Sequence, residues 1–309
     1  AGAGDAEWSI KLKPIYTQIS GHDPQVLAIA GAGAGTETIR LDTESTLASR
    51  LEIVRRGSGK WGFGLDFLWV ETKQKAAESR SPSGGELGFA AGDFLFSSAD
   101  PSDTLFFSTL EDTVINMWTF DLLAFRELSS SEKGGWELLF GLRSADFDND
   151  YRSVVGVFDV EGGRIDASSN YGRMTGALVG IAGRTRFAGG WLKGSLRQSV
   201  VFGEAELSNM TGEFTGPFEP YLHGFEDLPE DYMPVQQVHE LKDVSIPITE
   251  LRVDWSYPLS DAIALGVGAE TSIWFGVPVP PGVSPGEGTT LSEADITLLG
   301  LFGTLRFTF

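Results

Sequence analysis

Read backwards from its last residue, the chain alternates. Phe307, Leu305, Gly303, Leu301 and Leu299 are apolar or glycine, while Thr308, Arg306 and Thr304 take the places between them. A period of two marks a strand with one apolar face, and a stretch of about a dozen residues suits a tilted crossing of a bilayer. The same pattern recurs upstream. Its clearest instance is 61–69, where Trp61, Phe63, Leu65, Phe67 and Trp69 oppose Gly62, Gly64 and Asp66. Tryptophans at both ends of an aliphatic and Phe stretch suit two interfacial belts around a lipid band.

Nine such segments precede the last. They lie near 7–19, 47–54, 61–69, 113–126, 136–143, 176–186, 192–200, 250–257 and 263–273. Short turns are expected at 57–60, 129–135, 188–190 and 258–261, and every other connection is long. Ten strands joined alternately by short and long connections predict a single all-β domain over 1–309. Its fold class is an antiparallel up-and-down transmembrane β-barrel of about ten strands, range eight to twelve. The short turns are then periplasmic, the long loops extracellular, and both termini periplasmic. The Gly31–Gly35 stretch reads as a loop, and a short hairpin is expected near 94–107.

Composition removes rival classes. The chain has no cysteine, so it has neither disulfides nor a thiolate metal site. Although 41% of residues are hydrophobic, no run approaches the roughly 18 apolar residues of a membrane helix. A net charge of -20, from 23 Lys+Arg against 43 Asp+Glu, argues against nucleic acid as a partner. The start at Ala1-Gly-Ala-Gly4 reads as a mature N-terminus left after signal-peptide removal.

If the apolar faces meet lipid, an aromatic belt forms from Trp8, Trp61, Trp69, Trp118, Trp136, Trp255, Tyr257, Phe307 and Phe309. The alternate faces then line a pore. They carry Lys11, Lys13, Arg50, Arg143, Arg184, Arg186, Lys193, Arg197, Arg252 and Arg306 against Glu52, Asp66, Asp121, Glu137, Glu250, Asp254 and Glu270. Two readings follow. These groups pair across strands and fill a narrow barrel, or they form a constriction in a channel, and ten strands lie nearer the filled end of the size range.

Two motifs resemble known families. The final strand, with its terminal Phe309, resembles the C-terminal signal strand of bacterial outer-membrane barrels, which implies recognition by the barrel-assembly machinery. Asp121, Gly141-Leu-Arg143, Gly176 to Arg184, and Gly268-Ala-Glu270 with nearby Trp274 look like the spaced motifs of the Legionella-type major-outer-membrane-protein-like pore-forming family. That resemblance implies a pore-forming protein of a Gram-negative outer membrane.

Sites for chemistry are sparse. An omptin-like protease needs paired aspartates and an Asp–His pair at the outer rim, whereas His22, His223 and His239 all fall in expected loops. Asp146, Asp148 and Asp150 resemble an oxygen-ligand cation site without the glycine and distal glutamate of an EF-hand, so a solvated acidic loop is the default. No cofactor is expected beyond calcium or magnesium at acidic outer loops. Expected partners are outer-membrane lipid and lipopolysaccharide, with a surface partner or second copy at the loops. The leading expectation is a porin-like, non-enzymatic protein passing small polar solutes or ions. The alternative is a closed structural or adhesive barrel acting through its long acidic loops.

Overall fold

The computed structural model describes residues 7–20, 25–31, 35–40, 45–57, 59–74, 77–80, 87–91, 94–98, 105–109, 113–157, 161–215, 233–279 and 292–309. They form strands β1 (Glu7–Ser20), β2 (Gln25–Gly31), β3 (Gly35–Arg40), β4 (Thr46–Arg56), β5 (Trp61–Gln74), β6 (Ala77–Arg80), β7 (Leu87–Ala91) and β8 (Phe94–Ser98). The series continues with β9 (Leu105–Thr109), β10 (Thr113–Ser131), β11 (Gly134–Val157), β12 (Glu161–Phe187), β13 (Gly190–Thr215), β14 (Met233–Pro258), β15 (Ile263–Val279) and β16 (Ser292–Thr308).

Ten of these close a ring in the order β1, β4, β5, β10, β11, β12, β13, β14, β15, β16. β16 returns to pair antiparallel with β1, with Leu12 opposite Leu305 and Tyr16 opposite Leu301. Closure leaves the membrane-level wall no open edge, the condition for a sheet to cross lipid. The four short turns share one rim. There the chain ends meet, with Trp8 N–H donating to Phe309 O at 3.1 Å and Phe309 N–H to Trp8 O at 2.9 Å. At Ala188 (φ 48°) and Gly189 (φ 77°) both turn residues are left-handed, as a two-residue type I′ hairpin requires.

The outside of the lower cylinder is greasy and its inside is charged. Leu301 is 64% exposed, Val267 62% and Leu142 63%, whereas Asp121 is 0% and Asp66 1% exposed. Trp61 and Phe67 also stand outside rather than in a dry core between two sheets. Apolar side chains stay exposed in this way only where hydrocarbon is the solvent, so the lower cylinder is a transmembrane barrel.

Several loops of the sequence reading are strand. Residues 146–157 complete β11 and 161–170 begin β12, while much of 204–244 belongs to β13 and β14. β12, at 27 residues, runs about 90 Å along its axis, several times the ~25 Å apolar band of a barrel. The wall β11–β14 therefore stands far above the membrane level. β9 pairs with the upper part of β11, and β6 pairs with β9. The Gly/Ala-rich stretch holds the hairpin β2–β3, which continues through β7 to β8 as a four-stranded sheet. Thus β8 and β9 do not make the hairpin expected near 94–107, since each pairs elsewhere.

The loop readings fail for a physical reason. Above the membrane level water surrounds the barrel, so the apolar side of each strand turns inward. On β11, Phe140 and Leu142 face out and Arg143 faces in; higher up Phe147 is buried at 0% exposure and Asp146 and Asp148 take the outer side. On β12, β14 and β15 an extra residue shifts the alternation itself. The register breaks between Asn170 and Thr175, between Gly203 and Ala205 opposite β14, and between Trp274 and Val277. Asp243 (φ 63°) and Gly276 (φ 60°) sit at two of these bulges.

Candidate functional site

The interior at membrane height is one connected set of charges. Glu52, Asp66 and Asp121 stand side by side on β4, β5 and β10, in register with one another. Three carboxylates on adjacent strands would repel, but cations answer them from the other walls. Asp66 accepts from Arg50 at 2.9 Å, from Arg197 at 2.6 Å and from Arg252 at 2.6 Å. Arg143 holds Asp121 in a two-pronged bond, 2.7 Å for each contact, and also reaches Glu250 and, at 3.1 Å, Ser199. Arg50 bonds Glu270 at 3.1 Å, Arg252 bonds Glu250 at 3.0 Å, and Lys11 and Lys13 share Glu52.

These bonds bridge the lumen. β5 and β14 lie five places apart in the ring of ten, so Asp66–Arg252 crosses the full diameter. Guanidinium groups suit this role because their fork of donors can hold two carboxylates at once.

A second layer lies immediately toward the loop side. Trp274 from β15 meets Phe147 from β11 with ring centroids 6.4 Å apart, and Tyr171 lies tilted against Phe147 at 5.5 Å. Ile15, Ile115, Met117, Met174, Ile246, Ile248 and Ile296 fill the rest, each at most 1% exposed. Between the two layers is a cavity of about 10 Å³ lined by Thr17, Val70, Glu270 and Ser272 among others, room for about one water. Side chains from facing walls thus meet across the interior in both layers.

The seventeen side chains expected to line a pore all sit on inward-facing positions, but they do not act alike. Lys11, Lys13, Arg50, Glu52, Asp66, Asp121, Arg143, Arg197, Glu250, Arg252 and Glu270 belong to the network. Glu137 pairs with Arg56 through two bonds, 2.6 and 3.0 Å. Arg184 and Arg186 lie over the Trp191 ring at 5.3 and 4.1 Å, while Lys193, Asp254 and Arg306 face the turn-side end of the interior.

The belt aromatics stand on the outer face. Trp8, Trp61, Trp136, Trp255, Tyr257, Phe307 and Phe309 lie near the turn rim, and Trp69 pairs with Trp118 near the loop side. The layer around Phe147, Tyr171 and Met174 escapes sequence reading, because Phe147 and Met174 occupy the parity that carries charge lower down and the β12 bulge turns Tyr171 inward.

The aspartates proposed as a cation site lie on β11, not in a loop. Asp146 and Asp148 point to its outer side, and the side chain of Asp150 lies outside the described residues. No group of three or more metal-ligating side chains occurs among the described residues. His239 belongs to β14 rather than a loop, and His22 and His223 lie outside the described residues.

No family model matches the chain, and no curated protein matches it. The motifs shared with the Legionella-type family therefore remain a resemblance of short segments. Solved structures with a similar trace are outer-membrane barrels of differing activity. The outer membrane protease OmpT from Escherichia coli is 12% identical with a TM-score of 0.48, covering 100% of this chain and 98% of that one. The Pseudomonas putida toluene transporter TodX is 7% identical with a TM-score of 0.29, covering 99% and 89%. An anion-selective porin from Comamonas acidovorans is 9% identical with a TM-score of 0.24, covering 98% and 100%. A protease, a transporter and a porin at such scores say nothing of what this chain does.

Proposed function

We propose that this chain is a closed, non-conducting outer-membrane barrel, and that it works through the wall of long strands it raises beyond the bilayer. One observation carries the reading: the interior is bridged at one height by the Asp66–Arg252 network and at the next by the Phe147–Trp274 layer. A diffusion pore needs a continuous wet path, and a two-layer stopper of this kind opposes one. The expected porin activity accordingly gives way to the alternative, a structural or adhesive anchor.

The orientation follows from the rims. Short turns and both chain ends at one side suit the periplasm, and β11–β14 then project outward from the cell. Above the membrane level Asn170, Glu204 and Glu206 face water, the build of a surface that meets a partner rather than passes a solute. Lipopolysaccharide around the barrel and the assembly machinery during insertion are the partners this location implies.

Planar-bilayer recording tests the reading. The folded protein is expected to insert without discrete conductance steps; reproducible single-channel openings would restore the porin.

A further inference from the structure

The lipid-facing wall is not smooth. Beside the turn between β10 and β11 it carries a groove of about 760 Å³ that extends over β12, β13 and β14. Its floor is bare, because Gly183 and Gly194 stand side by side on the outward parity of β12 and β13. The Trp136 ring leans over Gly183, where a Cβ would come within 2.8 Å of it, and forms one wall; Leu251 and Val253 form the other. Gly194 stays open, since a Cβ there would meet only the Arg252 carbonyl oxygen at 3.8 Å. Ser129 and Lys133 line the turn-side end. The turn is pinned at that end: the Lys133 carbonyl accepts from the Arg186 N–H at 2.8 Å and from the Thr185 hydroxyl at 3.3 Å. The Lys133 side chain itself is exposed and forms no ion pair among the described residues.

We propose that this groove holds one glycerophospholipid of the turn-side leaflet, with an acyl chain on the glycine floor and the phosphate at Lys133. A hollow in a lipid-facing wall forfeits dispersion contacts until a hydrocarbon chain fills it. The free cation at its mouth then favours a chain that ends in an anion. Glu132 precedes Lys133 on the turn but does not line the groove. A neighbouring groove of about 580 Å³ on the same wall supplies the contrast. Trp255, Tyr257, Leu265 and Gly303 line it, and it ends at Leu259, in a turn whose charged residue is Asp261. That groove offers a place to hydrocarbon and none to a phosphate. The inference needs only that the outer wall meets lipid, and it stands whether or not the barrel conducts.

The test uses the full chain folded in maltoside detergent. It is incubated with dimyristoyl phosphatidylglycerol or, separately, with dimyristoylglycerol, which has the same chains and no phosphate. Native mass spectrometry counts the lipid that stays on the barrel. One phosphatidylglycerol per chain is expected, with dimyristoylglycerol retained at least fivefold less. Lys133→Gln removes the partner of the phosphate and Gly194→Leu fills the floor, so each should lower phosphatidylglycerol retention at least fivefold. Lys60→Gln, on another turn of the same rim, should leave it unchanged. Equal retention of the two probes, wild-type retention in either groove variant, or no retained lipid overturns the proposal. A dimer of the chain that excludes the lipid also overturns it and assigns the groove to a second copy. Should Gly194→Leu fail to fold, Lys133→Gln, a change at an exposed turn residue, decides alone.

Discussion

Arg252 on β14 and Asp66 on β5 meet at 2.6 Å across the full width of the barrel. Asp66 is shared with Arg50 and Arg197, so one carboxylate ties three walls to a fourth. Replacing it removes the charge that three buried guanidiniums share and leaves their remaining carboxylates, Glu250, Glu270 and Asp121, to answer them. Asp66→Asn should therefore lower unfolding stability in detergent or bilayer by about 3–5 kcal/mol, the range seen when one member of a buried ion pair is removed. A urea midpoint equal to wild type would show that the network does not hold the barrel together.

Trp274 makes the complementary case. It is 1% exposed, packs on Phe147 and donates its indole N–H to Ser272 at 3.2 Å. Trp274→Ala should cost about 3–5 kcal/mol through the cavity it leaves. It should nevertheless stay electrically silent, because the charged layer beneath is intact. Conductance steps in this variant alone would mean that the aromatic layer is the only seal.

Two glycines predict opposite outcomes. A Cβ on Gly176 would lie 1.8 Å from the Val200 carbonyl oxygen of the neighbouring strand, whereas one on Gly303 meets nothing within 4 Å. Gly176→Ala should thus disturb the β12–β13 ladder and reduce the yield of folded barrel. Gly303→Ala should fold as wild type. The heat-dependent gel mobility typical of barrels reads both.

The tryptophans report where the lipid is. Trp61 and Trp136 are 49% and 55% exposed on the outer wall, while Trp274 is sealed inside. In single-tryptophan variants, brominated acyl chains should quench Trp61 and Trp136 strongly and leave Trp274 almost unchanged. Strong quenching of Trp274 would contradict the placement of the apolar layer.

Hydrogen exchange separates strand from loop above the membrane. Val154 pairs with Arg164 and with Ser108, and Ser169 with Leu207. Amides of 146–157 and 161–170 should therefore be protected for minutes to hours. Exchange as fast as in an unstructured loop would restore the shorter strands.

The sequence by itself determined the lower barrel. Alternations such as Trp61 to Trp69 and Leu299 to Phe307 need only one rule, oil outside and charge inside, and that rule is local to each strand. It located all ten membrane strands, the four tight turns and the inward side of Arg143 or Asp254. Tertiary structure alone decided what the inward charges do. Asp66 and Arg252 are 186 residues apart, and no spacing along a strand tells which cation lies across a closed ring. The upper half was hidden for another reason: once water replaces lipid outside, Phe147 and Ile246 belong inside, and the bulges near Arg173, Asp243 and Gly276 shift the count. Alternation persists there with its meaning reversed, and only the surrounding solvent, which the folded cylinder sets, says which face is which.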